Sequence, residues 1–176
     1  MKKIYALTGG LLALSSFASA QFTSEMGDMT PYGWSLRAGT VLPLDANFRS
    51  VSKYFTSIGI DYPLNFRLMR NAETYLSFDW VTKSFKGNKN QMFPINLNQR
   101  FYFGEGEDGH RTYGFVGVGV VVFNFTTSQT KLGGRVGLGM QLDEKWFGEA
   151  SLMFSDKLDN TSIKATAVGF HLGYRF

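Results

Sequence analysis

From about residue 32 onward, large apolar side chains recur at every second position, the period of a β-strand that shows one face to an apolar surround. Tyr32, Trp34, Leu36, Ala38, Thr40 and Leu42 alternate with Gly33, Ser35, Arg37, Gly39 and Val41, and Tyr54, Thr56, Ile58, Ile60, Tyr62 and Leu64 alternate with Phe55, Ser57, Gly59 and Asp61. Similar runs follow at 75–80, 93–103, 113–125, 132–142 and 146–155. The last is Val168, Phe170, Leu172, Tyr174 and Phe176 against Gly169, His171, Gly173 and Arg175. Only Val121-Val122-Phe123 breaks the pattern, and a bulge is expected there. Short connections such as Asp143-Glu144-Lys145 favour antiparallel neighbours joined in order. The pattern therefore predicts an all-β chain, an eight-stranded antiparallel up-and-down β-barrel with no helix.

The first twenty residues differ. Lys2 and Lys3 precede an apolar run from Ile4 to Phe17, and Ala18-Ser19-Ala20 has the small-x-small pattern of a cleavage site. Residues 1–20 read as a signal peptide for export, 21–31 as a periplasmic N-terminal segment and 32–176 as the barrel. The final strand, with Phe170, Leu172, Tyr174 and Phe176 on one face, resembles the C-terminal strand of bacterial outer-membrane β-barrels. There it is the signal read by the barrel-assembly machinery.

Composition decides which way the barrel faces. The chain holds 17 Phe, 8 Tyr, 3 Trp and 20 Gly, with 4 Pro and no Cys. The lack of Cys excludes a disulfide framework and any thiolate chemistry. Eight strands enclose only enough room for side chains. A soluble exterior of bare glycines is physically odd, whereas a glycine-lined lumen leaves volume for long polar chains. The aromatic face is therefore expected in lipid, making the barrel transmembrane, with rings sorted into two girdles. A soluble lipocalin-like ligand carrier is the opposite reading of the same alternation.

The inward parity gathers Arg37, Asp61, Asp79, Arg100, Arg135, Glu149, His171 and Arg175, a set expected to pair into an interior network because isolated buried charge is costly. An enzyme is not expected. Lipid A deacylases of similar size place a Ser two residues after the catalytic His on the lipid-facing wall, but here Gly173 follows His171, which faces inward. The loop Gly104 to His110 lacks EF-hand spacing, so no metal and no cofactor are expected.

Charge adds one asymmetry. The excess of four cations falls to two without Lys2 and Lys3, and nothing in it points to nucleic acid. Lys53, Lys83, Lys86, Lys89, Lys131, Lys157 and Lys164 all fall at the outer rim under this topology, a collar suited to phosphate groups of outer-leaflet glycolipid. The chain as a whole resembles small outer-membrane barrels of the OmpA, OmpX and OmpW kind. That resemblance implies a cell-outer-membrane location, insertion by the assembly machinery and roles in envelope integrity, adhesion or small-molecule passage. A structural or lipid-interacting monomer is expected, with a narrow solute pore as the alternative.

Overall fold

The computed structural model describes residues 33–65, 72–84, 90–103, 111–125, 127–159 and 163–176. The expectations for residues 1–20 and 21–31, Tyr32, Lys86, Lys89 and the Gly104 to His110 loop lie outside them.

Eight strands pair in sequence order and close into a barrel: β1 (Ser35–Pro43), β2 (Phe55–Pro63), β3 (Glu73–Thr82), β4 (Gln91–Phe103), β5 (Thr112–Asn124), β6 (Ser128–Gln141), β7 (Trp146–Ser155) and β8 (Ala167–Arg175). Every neighbouring pair is antiparallel, and β1 meets β8 with Ser35 opposite Arg175. Closure removes the sheet edges, so hydrogen bonding between strands continues around the whole wall. The alternation read from the sequence is the alternation of the wall. On β1, Arg37 and Val41 are buried in the lumen while Leu36, Ala38, Thr40 and Leu42 face out. On β7, Phe147, Glu149, Ser151 and Met153 face in, and Trp146, Leu152 and Phe154 face out.

Two sequence expectations fail. The bulge at Val121-Val122-Phe123 is absent: β5 pairs without interruption with β4, from Gln91 opposite Asn124 to Phe103 opposite Thr112, and equally regularly with β6. Val121 and Phe123 are instead inward residues of unbroken parity, apolar because the lumen is apolar at that height. A helix is also present, α1 (Ala46–Val51), between β1 and β2. Asp45 caps it by accepting a 2.9 Å hydrogen bond from the Phe48 backbone N–H. Six residues do not sustain a helix alone. Phe48 anchors it, fully buried against Phe55 and Phe125 with ring centroids 5.0 and 6.3 Å away.

The barrel end carrying α1 and the β3–β4, β5–β6 and β7–β8 connections is called the outer end below, and the opposite one the inner end. Outward residues form an apolar belt that includes Ile60, Phe78, Val118, Leu132, Leu138 and Phe170. Near the inner end the outward rings pack together: Trp34 stacks on Phe176 at 4.0 Å, and Tyr174 meets Trp146 and Phe176 edge-on at 5.1 and 5.0 Å. Among the described residues no helix is long and apolar enough to cross a membrane, a fact that leaves strands untouched.

Candidate functional site: the filled lumen

The lumen is filled in two layers of opposite chemistry. In its middle and inner part Arg37 is the hub, with no exposed surface. Its Nη2 lies 3.0 Å from Asp61 and 2.9 Å from Asp79, and its Nη1 lies 3.1 Å from Glu149, so one guanidinium joins β1 to β2, β3 and β7. Arg100 forms a second node, 3.1 Å from Glu73, 3.4 Å from Glu149 and 3.7 Å from Asp61, its cation over the Tyr75 and Tyr113 rings. Arg135 is the third. It donates to Asn98 Oδ1 at 2.8 Å and to the Tyr75 hydroxyl at 3.1 Å, and stands 3.6 Å from Asp79.

Glu149 collects hydrogen bonds from Arg37, Arg100 and the Tyr113 hydroxyl. That density matters, because a carboxylate taken out of water is tolerated only when its oxygens are paired and bonded. Arg175 closes the inner end by donating to Gln141 at 3.4 Å and lying over Phe147. Tyr102 donates to Glu73 at 3.1 Å. The lattice thus takes a member from each of β1 to β7, and Arg175 of β8 packs over Phe147 beside it.

Glycines make space for these groups in two ways. At Gly59 a Cβ would overlap Asp79 and press on the Arg37 guanidinium, so the bare position is where the hub fits. At Gly139 and Gly173 the space is filled by rings from the adjacent strand, Tyr113 and Phe147. The expectation that inward glycines leave room for polar chains therefore holds only in part, because aromatic side chains also fill the lumen.

Toward the outer end the chemistry changes. Val41, Phe55, Val81, Met92, Val121, Phe123, Met153 and Ala167 point inward from the strands, and Phe48, Leu158 and Ala165 close over them from α1 and the β7–β8 connection. Backbone bonds from Leu44 and Asp45 N–H to Thr166 O tie the two covers together. Between the layers lies a cavity of about 20 Å³, lined by Ser57, Asp79, Asn96, Arg135, Ser151 and His171 on its polar side and by Val41, Val81 and Met153 on the other. Its size suits one water molecule. Among the described residues, Ser57 Oγ, Asn96 Oδ1 and both His171 ring nitrogens are buried without a protein hydrogen-bond partner.

The structure places all eight lumen residues named from the sequence inside. It joins Arg37, Asp61, Asp79, Arg100, Arg135 and Glu149 through direct ion pairs, gives Arg175 a hydrogen bond to Gln141, and leaves His171 beside the cavity. Glu73, and the bonding roles of Tyr75 and Tyr113, are not among the residues the sequence points to. Glu73 shares the parity of Tyr75 and Asp79, and carrying that count two residues further back finds it. Of the collar, Lys53, Lys83, Lys157 and Lys164 are exposed at the outer end, and Lys131 is held 2.6 Å from Asp159. Phe170, Leu172, Tyr174 and Phe176 share the outward face of the closing strand and its end.

Neither a protein-family model nor a curated protein sequence matches the chain. Solved structures do. The N-terminal β-barrel domain of Pseudomonas aeruginosa OprF superposes with a TM-score of 0.50 at 17% identity, over 84% of this chain and 100% of that one. Yersinia pestis Ail, the attachment invasion locus protein, in complex with the heparin analogue sucrose octasulfate, gives 0.50 at 18% identity over the same shares. With the closed strand order and the apolar outer wall, the likeness identifies the architecture: the chain is built on the eight-stranded fold of small outer-membrane barrel proteins.

Proposed function

We propose that this chain spans the outer membrane as a monomeric barrel closed to solutes, and that it serves envelope structure and outer-leaflet lipid contact rather than catalysis or transport. One observation carries the reading: inside an apolar-walled barrel, ion pairs bind strand to strand around the axis beneath an apolar plug. A pore needs a continuous wet path, and both layers oppose one. A soluble carrier needs an apolar cavity of ligand size inside and a polar wall outside, and this barrel has a side-chain-packed lumen and an apolar wall.

Supporting features are the outward rings near the inner end, as in interfacial girdles, and the cations of the outer end, suited to anionic headgroups. Phe170, Leu172, Tyr174 and Phe176 are proposed as the segment read by the assembly machinery. The test is planar-bilayer conductance of the purified chain, with heat-modifiable gel mobility as the check of folding. The reading expects a folded, heat-modifiable barrel without discrete conductance steps. Steady channel openings from the folded form would replace it with the narrow-pore alternative, and a monodisperse protein in plain buffer would support the carrier.

A further inference from the structure

The outer rim is not uniformly cationic in effect. On the β6–β7 side Lys131 is neutralised by Asp159 at 2.6 Å, and Lys157 is flanked by the exposed Asp156. On the α1 side Arg49, Lys53 and Lys83 face the rim with one nearby described acid, Asp45, whose carboxylate is engaged as the cap of α1. Two of these cations are steadied by backbone. Arg49 donates through Nε to Pro43 O at 3.3 Å and through Nη2 to Leu44 O at 3.2 Å, and Lys83 Nζ donates to Val51 O at 3.2 Å. Among the described residues each keeps further N–H donors, three of five on the guanidinium and two of three on the ammonium.

Exposed apolar groups lie beside them. Leu44 is 48% and Tyr54 63% exposed, and Leu42 continues the apolar belt below. An exposed aliphatic and an aromatic at the foot of a cation cluster is the arrangement that a membrane boundary favours, with acyl chains on one side and phosphate on the other. A guanidinium matches phosphate oxygens in paired geometry, and an ammonium adds a point charge.

From this asymmetry we infer that Arg49, Lys53 and Lys83 form a phosphate-binding site for one phosphorylated glycolipid of the outer leaflet, seated against Leu44 and Tyr54, and that the β6–β7 rim does not. The inference rests on the outer-membrane reading above and narrows its lipid contact to one sector of the rim. It also replaces a uniform lysine collar with a cluster that includes an arginine.

The matched test removes two lysines from either side. The full chain, folded in detergent micelles, is titrated with bis-phosphorylated lipid A, with the same lipid stripped of its phosphates, and with inorganic phosphate. Heat-modifiable mobility confirms that every variant is folded. The expected result is a loss of lipid A affinity of at least tenfold in Lys53→Gln/Lys83→Gln and less than about threefold in Lys131→Gln/Lys157→Gln, with weak binding of the dephosphorylated lipid. Arg49→Gln lowers affinity again. Equal losses in the two double variants, no loss in the first, or equal binding of the dephosphorylated lipid would each overturn the site. Inorganic phosphate binding as tightly as the lipid would overturn the glycolipid as its occupant. Failure of the unaltered chain to show heat-modifiable mobility or to enter bilayers would instead strike the outer-membrane reading itself.

Discussion

The two layers of the lumen fill the same cylinder by opposite means. The inner one uses directional contacts: Arg37 meets three carboxylates from three strands within 3.1 Å, and each partner has a second obligation. The outer one uses contacts without direction, Phe48, Phe55, Phe123 and Met92 packed from α1 and three strands. Charge in a dry interior is tolerated as a closed set and not as single members. An apolar plug tolerates exchange as long as volume is kept. The lattice therefore specifies which strand faces which, and the apolar layer packs mainly by volume.

The largest break of that contrast is Arg37→Leu. It leaves Asp61, Asp79 and Glu149 buried without their shared cation, and stability should fall by about 3–5 kcal/mol. Equilibrium urea unfolding of the barrel in lipid vesicles reads the loss. Pairing the change with Glu149→Leu should restore part of it, because neighbours in one network are not additive. A double variant as unstable as the two single losses combined would show that the lattice is a set of independent pairs.

Next comes the plug. Phe123→Ala should cost about 3 kcal/mol, the low end for a buried phenylalanine, because Phe125 lies 5.5 Å away and can settle into part of the space. Phe123→Leu should cost less than about 1.5 kcal/mol. The same unfolding measurement tests both, and a leucine as damaging as the alanine would mean that the plug is as shape-specific as the lattice.

The strands, their order and their inward faces are legible in the sequence because alternation is a local signal and closure follows from it. The lattice is half legible. Parity places Arg37 or Glu149 inside, but which acid meets which arginine depends on the tilt and stagger of a closed barrel, and no single segment carries that information. The apolar outer layer is less visible still. Phe55 and Met153 have inward parity, yet nothing in a two-residue period tells height along the axis. Glu73 shows the same limit, since a strand end reads as a turn until its partner Arg100 is placed. The helix escapes because one buried ring, Phe48, gives no periodicity.

Glycine substitutions sharpen the comparison between the lumen and the outer wall. A Cβ at Gly173 would overlap the Phe147 ring, which is fully buried under the Arg175 cation, and Gly173→Ala should cost about 1–3 kcal/mol by overpacking.

The smallest effect should come from Gly148, one residue after Phe147 and on the opposite face of β7. A Cβ there meets nothing among the described residues within 4 Å. Ala also restricts the unfolded chain more than Gly does, and in a strand this favours the folded state by a fraction of a kcal/mol. Gly148→Ala should therefore leave unfolding in vesicles within about 0.5 kcal/mol of the parent, on the stabilising side. The pair Gly148 and Gly173 thus reads the sidedness of the wall with one methyl group in each direction. If Gly148→Ala destabilises as much as Gly173→Ala, the face assigned to lipid is packed against something, and the apolar belt has a protein partner in place of acyl chains.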